Sequence, residues 1–551
     1  MNRLVSKHPL CLRRQEAHFQ DRKAHRGSRS IKLLAKKLIF SILLVGSGFL
    51  SQAQNFYDVT KFGGKNDASE KATDAIKTAI AEASENGGGT VYFPAGEYLT
   101  GPIYLKSNIT LFLDAGAYVR FSDDFEDYLP FVQSRYEGLM TKSFSPFIYA
   151  FEEENIAIVG RGTLDGQGTE WWHQAERLGG KGVKNYKYFD DYKKANQDTI
   201  NQYSPYITKK GFLRPPFIQP MYCKNVRIEG VTIKNSPFWT VSPEFCENVT
   251  ITGVTINNPH SPNTDGINPS SCKYVRISDC HISVGDDCIT IKSGKDESGR
   301  MMNAAAEDYT ITNCTMLSGH GGVVIGSEMS GGVKKITISN CVFDGTDRGI
   351  RIKSTRGRGG VVEDIRVDNV IMKDIKKEAI KLNMFYSKTE LEPVSERTPI
   401  FRDIHFSNIT AESNKAVVLI GLEEMPIENI TFSDINFDSN EGVSVKDGKH
   451  IEFHNVTVNK NMGAAIEIET SSDVEIDGFK TYHHQEGRPS VELKETQDVF
   501  ISGSRATKGT DVFLKVSGSS SKGIYVKGNF LSEAKTVVVI SDEVNEAIPV
   551  D

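Results

Sequence analysis

"YVRISDCHISVGDDCITIKS" (residues 274–293) and "DYTITNCTMLSGHGGVVIGS" (308–327) superimpose without a gap. Each opens with a short apolar/polar alternation, bends at Asp279 or Asn313, passes a cysteine and alternates again. After a glycine each closes on a third apolar run, "CITI" or "GVVI". Alternation of period two is the mark of a strand with one buried face. The unit recurs from Phe217 onward at about two dozen residues, from "NVRIEGVTI" to "GIYVKGNFL", and a period of ~20–50 residues marks stacked units. Its bend falls on Gly230, Gly253, Asp279, Asn313, Asn340, Asn369, Asn408, Asp434, Asn455, Gly478, Gly503 and Gly528, residue types that tolerate positive φ. The next column holds Cys280, Cys314 and Cys341 beside Val231 and Val254, as expected of buried free thiols acting as small hydrophobes rather than metal ligands. Three strands per unit with no helical pattern between them predict an all-β, parallel β-helix. A propeller, with blades of ~40–45 residues, does not fit. "TDAIKTAIAEASENGG" (73–88) reads as a short amphipathic helix that covers the open N-terminal end of the stack.

The chain has 551 residues and is 38% hydrophobic, enough for a large core. Residues 1–53 are set apart. They carry eleven Lys/Arg against two acids and end in "LIFSILLVGSGFL" and "SQAQ". A basic start, a short apolar run and a small-residue cleavage site predict an export leader, and the run falls short of the ~20 residues of a membrane span. Residues 54–551 are then one solenoid domain, exported to a periplasm or outside the cell. The whole chain carries a net charge of −6 and the mature part about −15, which disfavours nucleic acid or stable membrane insertion. Seven of the eight cysteines follow the leader, an odd number that describes no disulfide framework.

Stacking brings chemistry together. Asp265-Gly266-Ile267, Asp287-Cys288-Ile289, Gly321-Gly322-Val323 and Arg348-Gly349-Ile350 fall in one register, preceded by Thr264, Asp286, His320 and Asp347. Asp265, Asp286, Asp287 and His320 therefore converge on one patch. If Ile350 and Ile352 face the core, Arg351 and Lys353 face outward, within a stretch from Arg348 to Arg358 that holds five basic residues and no acid. Clustered acids whose proton affinities are driven apart suit glycoside hydrolysis, in which one carboxyl protonates the leaving oxygen and another acts as base or nucleophile. An adjacent Arg/Lys pair suits an anionic sugar.

N-T-D-G (263–266), G-D-D (285–287), G-H-G (319–321) and R-I-K (351–353), in this order on a parallel β-helix, resemble the polygalacturonases of glycoside hydrolase family 28. The resemblance implies a right-handed solenoid of the pectin-lyase-like type. It makes Asp286 the general acid, Asp265 and Asp287 the activators of water with inversion, and His320 the residue that tunes the acid. Asn263, Arg351, Lys353 and Tyr386 would contact the galacturonate, and no metal or organic cofactor is implied. The charged, aromatic segment within 166–215 resembles insertions that close one end of the groove in exo-acting members, and Lys292 and Arg348 lie near enough to be further carboxylate contacts. The expected partner is a pectic poly- or oligosaccharide. An endo-polygalacturonase or a rhamnogalacturonan-directed galacturonidase are alternatives. A calcium-dependent lyase is a third, and a non-catalytic glycan-binding β-helix comes from a different class.

Overall fold

In the computed structural model the described residues are 55–173, 187–199, 214–259 and 262–550. The leader read at 1–53 lies outside them, as does much of the 166–215 insertion. Within the described residues the chain winds as a right-handed parallel β-helix. Val226, Val249, Val275, Tyr309, Ile336, Ile365, Ile404, Ile430, Ile451, Val474, Val499 and Ile524 pair one coil to the next in a continuous parallel register. All twelve are buried. The core is this stack of like residues along the axis, each coil burying its apolar face only because a neighbour lies above and below it.

The bend column behaves as its composition demands. Its twelve residues, Gly230 to Gly528, all have φ between +52° and +74°. Asparagine and aspartate occupy this region at less cost than other L-residues, and here they also bond along the axis. Asn369 Nδ2 donates to Asn340 Oδ1 at 2.7 Å, and Asn455 Nδ2 to Asp434 Oδ1 at 2.7 Å. A second amide ladder, absent from the sequence reading, joins Asn108, Asn155, Asn225 and Asn248 by bonds of 2.9, 2.8 and 2.6 Å. Cys280, Cys314 and Cys341 are buried and free, and so are Cys223, Cys246 and Cys272, which stack in a column of their own.

Helix α1 (Thr73–Glu85) turns Ala75, Ile76, Ala79, Ile80 and Ala83 onto the first coils, against the strands Phe56–Asp58 and Gly89–Phe93. Among the described residues one strand pair is antiparallel, the hairpin Val132–Tyr136/Leu139–Ser143. It lies across the outside of the solenoid. Arg135 Nη1 donates to Glu244 Oε2 at 3.0 Å, to Ser270 Oγ at 2.9 Å and to Ser271 Oγ at 3.1 Å. The short helix Phe189–Ala195, part of the insertion, docks on this hairpin. Asn196 accepts from Lys142 N at 2.6 Å and donates to Lys142 O at 2.7 Å.

The two roles of the bend column are separable by mutation. Asn369→Gly keeps the positive φ and loses the amide bond, a cost of about 1 kcal/mol. Asn369→Val loses both and is expected to cost about 2–3 kcal/mol, read as a larger drop in urea midpoint.

Candidate active site

Three parallel strands carry the site: β1 (Asp287–Ile291), β2 (Gly321–Gly326) and β3 (Ile350–Lys353). Ile267 pairs with Ile289, Ile289 with Val323 and Val323 with Ile350. This is the register read from the sequence, and it brings one carboxylate oxygen from each of Asp265, Asp286 and Asp287 within 4.8 Å of one another. Two glycines make room for that approach. A Cβ on Gly319 would lie 2.5 Å from Asp286 O, and one on Gly321 would lie 2.5 Å from Val324 Cγ2 and 3.5 Å from Asp287 Oδ1.

The three acids differ in surroundings. Asp265 is buried and accepts from Asn268 Nδ2 and Thr290 Oγ1, both at 3.1 Å. Asp287 is buried too. Its Oδ2 accepts from Lys353 Nζ at 2.9 Å, while its Oδ1 accepts no bond from the described residues. Asp286 is the most accessible, its side chain 19% exposed. Its Oδ1 accepts from His320 Nδ1 at 3.1 Å and from Asp287 N at 3.0 Å, and its Oδ2 lies 3.4 Å from Asn263 Nδ2.

These surroundings drive the protonation states apart. Burial pushes the Asp265 carboxyl well above its ordinary range, and the Asp286 charge pushes it further, against the pull of Lys292. Burial would raise Asp286 as well, but the His320 hydrogen bond and charge, with Lys353 and Lys292, hold it below its usual value. His320 is raised in turn by its bond to Asp286, against the cost of burial. Within the cluster a proton is therefore held more readily by Asp265 than by Asp286, whose neighbour His320 is itself raised.

The basic residues add what the sequence reading lacked. Lys353, outward from the core on the same side as the acid patch, is covered there and ion-paired with Asp287. Arg348, Arg356 and Arg358 are paired with Glu378, Glu424 and Asp296. Lys292, considered as a further contact, is buried between Glu328 at 2.9 Å and the Trp239 ring at 4.8 Å. Of the five basic residues from Arg348 to Arg358, Arg351 alone makes no ion pair among the described residues. Its guanidinium lies 5.5 Å from the centroid of the exposed Tyr386 ring, and Lys353 Nζ lies 5.8 Å from it.

Arg214 was missed altogether. It is buried and donates from Nη2 to Asn263 Oδ1 at 2.8 Å and from Nη1 to Pro262 O at 2.8 Å, over the Phe238 ring at 5.0 Å. Phe238 stacks in turn on Tyr136 of the hairpin, with centroids 4.6 Å apart. A guanidinium only donates, so it fixes the Asn263 amide with its oxygen toward Arg214 and its NH₂ toward Asp286. No local pattern marks Arg214 in the sequence.

The sequence profile of glycosyl hydrolases family 28 matches residues 196–460. A probable polygalacturonase of Vitis vinifera is 33% identical over 68% of this chain and 72% of its own length. An endo-polygalacturonase of Pectobacterium carotovorum is 31% identical over 71% and 88%. The chain belongs to glycosyl hydrolase family 28. Profiles described as rhamnogalacturonase A/epimerase, pectate lyase-like, and as a right-handed β-helix region match this family 28 glycosidase at 56–156 and 395–547. Among solved structures, an exopolygalacturonase from Thermotoga maritima superposes with a TM-score of 0.67 at 35% identity, over 77% of this chain and 96% of that one.

The titration of this family 28 site is open to test. A reaction that needs the cluster's proton is supported below the raised value of the cluster and lost as pH rises through it. His320→Gln removes the cation that holds Asp286 down, so Asp286 rises. In pH profiles of kcat/KM the variant's alkaline limb is expected to move to higher pH, with a rate about ten- to a hundredfold lower.

Proposed function

We propose that this family 28 glycosidase is an exported polygalacturonase that hydrolyses galacturonosyl linkages of pectin or pectic oligosaccharides with inversion, from one chain end, releasing galacturonate. One observation carries the substrate class. Beside three clustered acids, in a run where every other basic residue is ion-paired, Arg351 is left without a partner next to an exposed tyrosine. A planar fork without a carboxylate suits the carboxylate of an anionic sugar, and Tyr386 offers the sugar an apolar face. Asn263 lines the same edge of the site.

In this mechanism Asp286 is the general acid, because it is the accessible member of the cluster. Asp265 holds a proton more readily than Asp286, so it has to move. An anionic sugar over Asp286 adds negative charge and strips water from its exposed face, and both raise that carboxyl. The proton then passes outward through the cluster, whose titration belongs to the group as a whole. Asp287, ion-paired with Lys353, and Asp265, relieved of its proton, orient the attacking water; the unbonded Asp287 Oδ1 is the acceptor available to it. The nearest oxygens lie closer than the ~6.5–9.5 Å between carboxyl groups usual for inverting pairs. Inversion therefore rests on the third acid, and the product anomer tests it.

The lean to exo cleavage rests on the 166–215 insertion. Its helix Phe189–Ala195 docks on the hairpin, and the hairpin reaches Asn263 through Tyr136, Phe238 and Arg214, an arrangement suited to walling off one end of the groove. Relatives of both the endo and exo kinds match the chain. Export rests on the leader at 1–53; among the described residues no helix is long and apolar enough to cross a membrane.

Purified protein acting on galacturonate oligomers of defined length is expected to release saturated monosaccharide, with the inverted anomer first seen by NMR and no loss in EDTA. Mixed oligomers would discard exo cleavage, and unsaturated products lost in EDTA would mean a lyase. Asp286→Asn should lose on the order of 10²–10⁴-fold in kcat. Arg351→Ala should act mainly on KM, raising it about tenfold or more, whereas Lys353→Met, which leaves Asp287 buried and unpaired, should act mainly on kcat.

A further inference from the structure

On one side of the acids, the outward face of their sheet is covered. Val241 pairs with Ile267 and Ile267 with Ile289, so the strand around Val241 lies one coil, ~4.8 Å, before that of Asp265. Arg135 and Tyr136 of the hairpin span that coil, because neighbours in a strand point to opposite sides. Arg135 reaches Glu244, just after the Val241 strand, at 3.0 Å, and Tyr136 stacks on Phe238, just before it, with centroids 4.6 Å apart. Thr240, Val241 and Ser242 between them are fully buried. One coil earlier, Ser134 Oγ donates to Gln219 Oε1 at 2.8 Å, and Gln219 Nε2 donates to Arg135 O at 3.3 Å. On the coil before that, Tyr149 OH donates to Gln133 O at 2.7 Å. Past the hairpin the same outward column opens again at Tyr104, 41% exposed. In the opposite direction the acids are bordered by Arg351 and the exposed Tyr386.

The hairpin is held from two sides. A lone two-stranded hairpin is marginal in water, so its place depends on anchors. Arg135 is one: its Nη1 donates to Ser270 and Ser271, at 2.9 and 3.1 Å, as well as to Glu244, and its guanidinium lies 4.4 Å from the Phe245 ring centroid. The turn is the other. Gly138 has a φ of +83°, and a Cβ there would lie 2.9 Å from Lys295 N, so only glycine lets the tip settle on the coil that carries Asp287. Beside it Glu137 Oε2 faces Lys295 Nζ at 3.7 Å.

We propose that the hairpin 132–143 is the stop that leaves this glycosidase room for one sugar unit on the Val241 side of the acids, and that Arg135 and Gly138 are the specificity-determining residues that hold it there. This rests on the exo reading above and moves its cause from the insertion to the hairpin. A single coil spacing, ~4.8 Å, separates the strand of Asp265 from the covered one, comparable to one pyranose ring. A polysaccharide then enters only by an end, and the rest of the chain leaves past Arg351 and Tyr386.

The test is product analysis on hexagalacturonate, with hydrogen exchange over residues 132–143 in the same samples. Arg135→Met/Glu244→Gln replaces a buried ion pair without leaving a lone charge and is expected to fold; Gly138→Val strains the turn and drives its tip off Lys295. Both variants are expected to exchange faster over the hairpin and to release di- and trigalacturonate, with an oligomer-to-monomer ratio about tenfold above that of the unaltered chain. Monosaccharide alone from variants whose hairpin exchanges faster overturns the stop and leaves the exo reading standing. Unchanged exchange in both variants overturns the role of Arg135 and Gly138. Mixed oligomers from the unaltered chain overturn the exo reading and the stop together.

Discussion

Parallel register is the constraint on which everything else depends. Once each coil must lay its strands directly on those of the one before, any two residues at the same position of successive units are held about 4.8 Å apart along the axis. For Ile on Ile, Phe on Phe or Asn on Asn this spacing is favourable, and those columns build the core and the amide ladders. For Asp265 on Asp287 it forces two carboxylates together beside a third. Like charges at that distance cannot all be ionised without compensation, and the fold supplies it unevenly: a lysine for Asp287, an imidazole for Asp286, neutral donors alone for Asp265. The asymmetry that acid–base chemistry needs thus comes from what the neighbouring coils place around three chemically identical groups.

The outside of the solenoid matters as much as its core. An exposed strand face would leave an outward residue such as Lys292 in water. Here the hairpin 132–143 crosses that face, with Arg135 buried against Glu244, a carboxyl that burial raises to about 7 even against the Arg135 charge. Covered in this way, Lys292 becomes part of a buried ion pair with Glu328 whose charge reaches Asp265. Arg351 escapes because it borders the accessible edge. A path of packed side chains also links the insertion helix to the amide that touches Asp286, through the hairpin, the Tyr136–Phe238 stack and Arg214. The helix Phe189–Ala195, the hairpin and the site are thus joined by one chain of contacts.

Much of this was legible beforehand, for a local reason. A β-helix repeats its backbone, so each column shows up as a repeat in the chain. Asn340, Asn369 and Asn408 could be read as one bend, and Asp265 and Asp287 as neighbours, without any knowledge of distant contacts. The second amide column, Asn108 to Asn248, escaped because its units lie partly before the clear repeat begins. Arg214 escaped because its partner, Asn263, is joined to it only by the path of the chain around a coil.

The sequence by itself determined the fold, its register and the meeting of three acids and a histidine, because period-two alternation and residues that accept positive φ are local requirements repeated in every coil. Tertiary structure alone decided which of those acids keeps a proton, which cations are spent on internal pairs and which one is free. Those outcomes turn on burial and on charges brought together from the hairpin, the insertion and distant coils, and a sequence does not display distances across space.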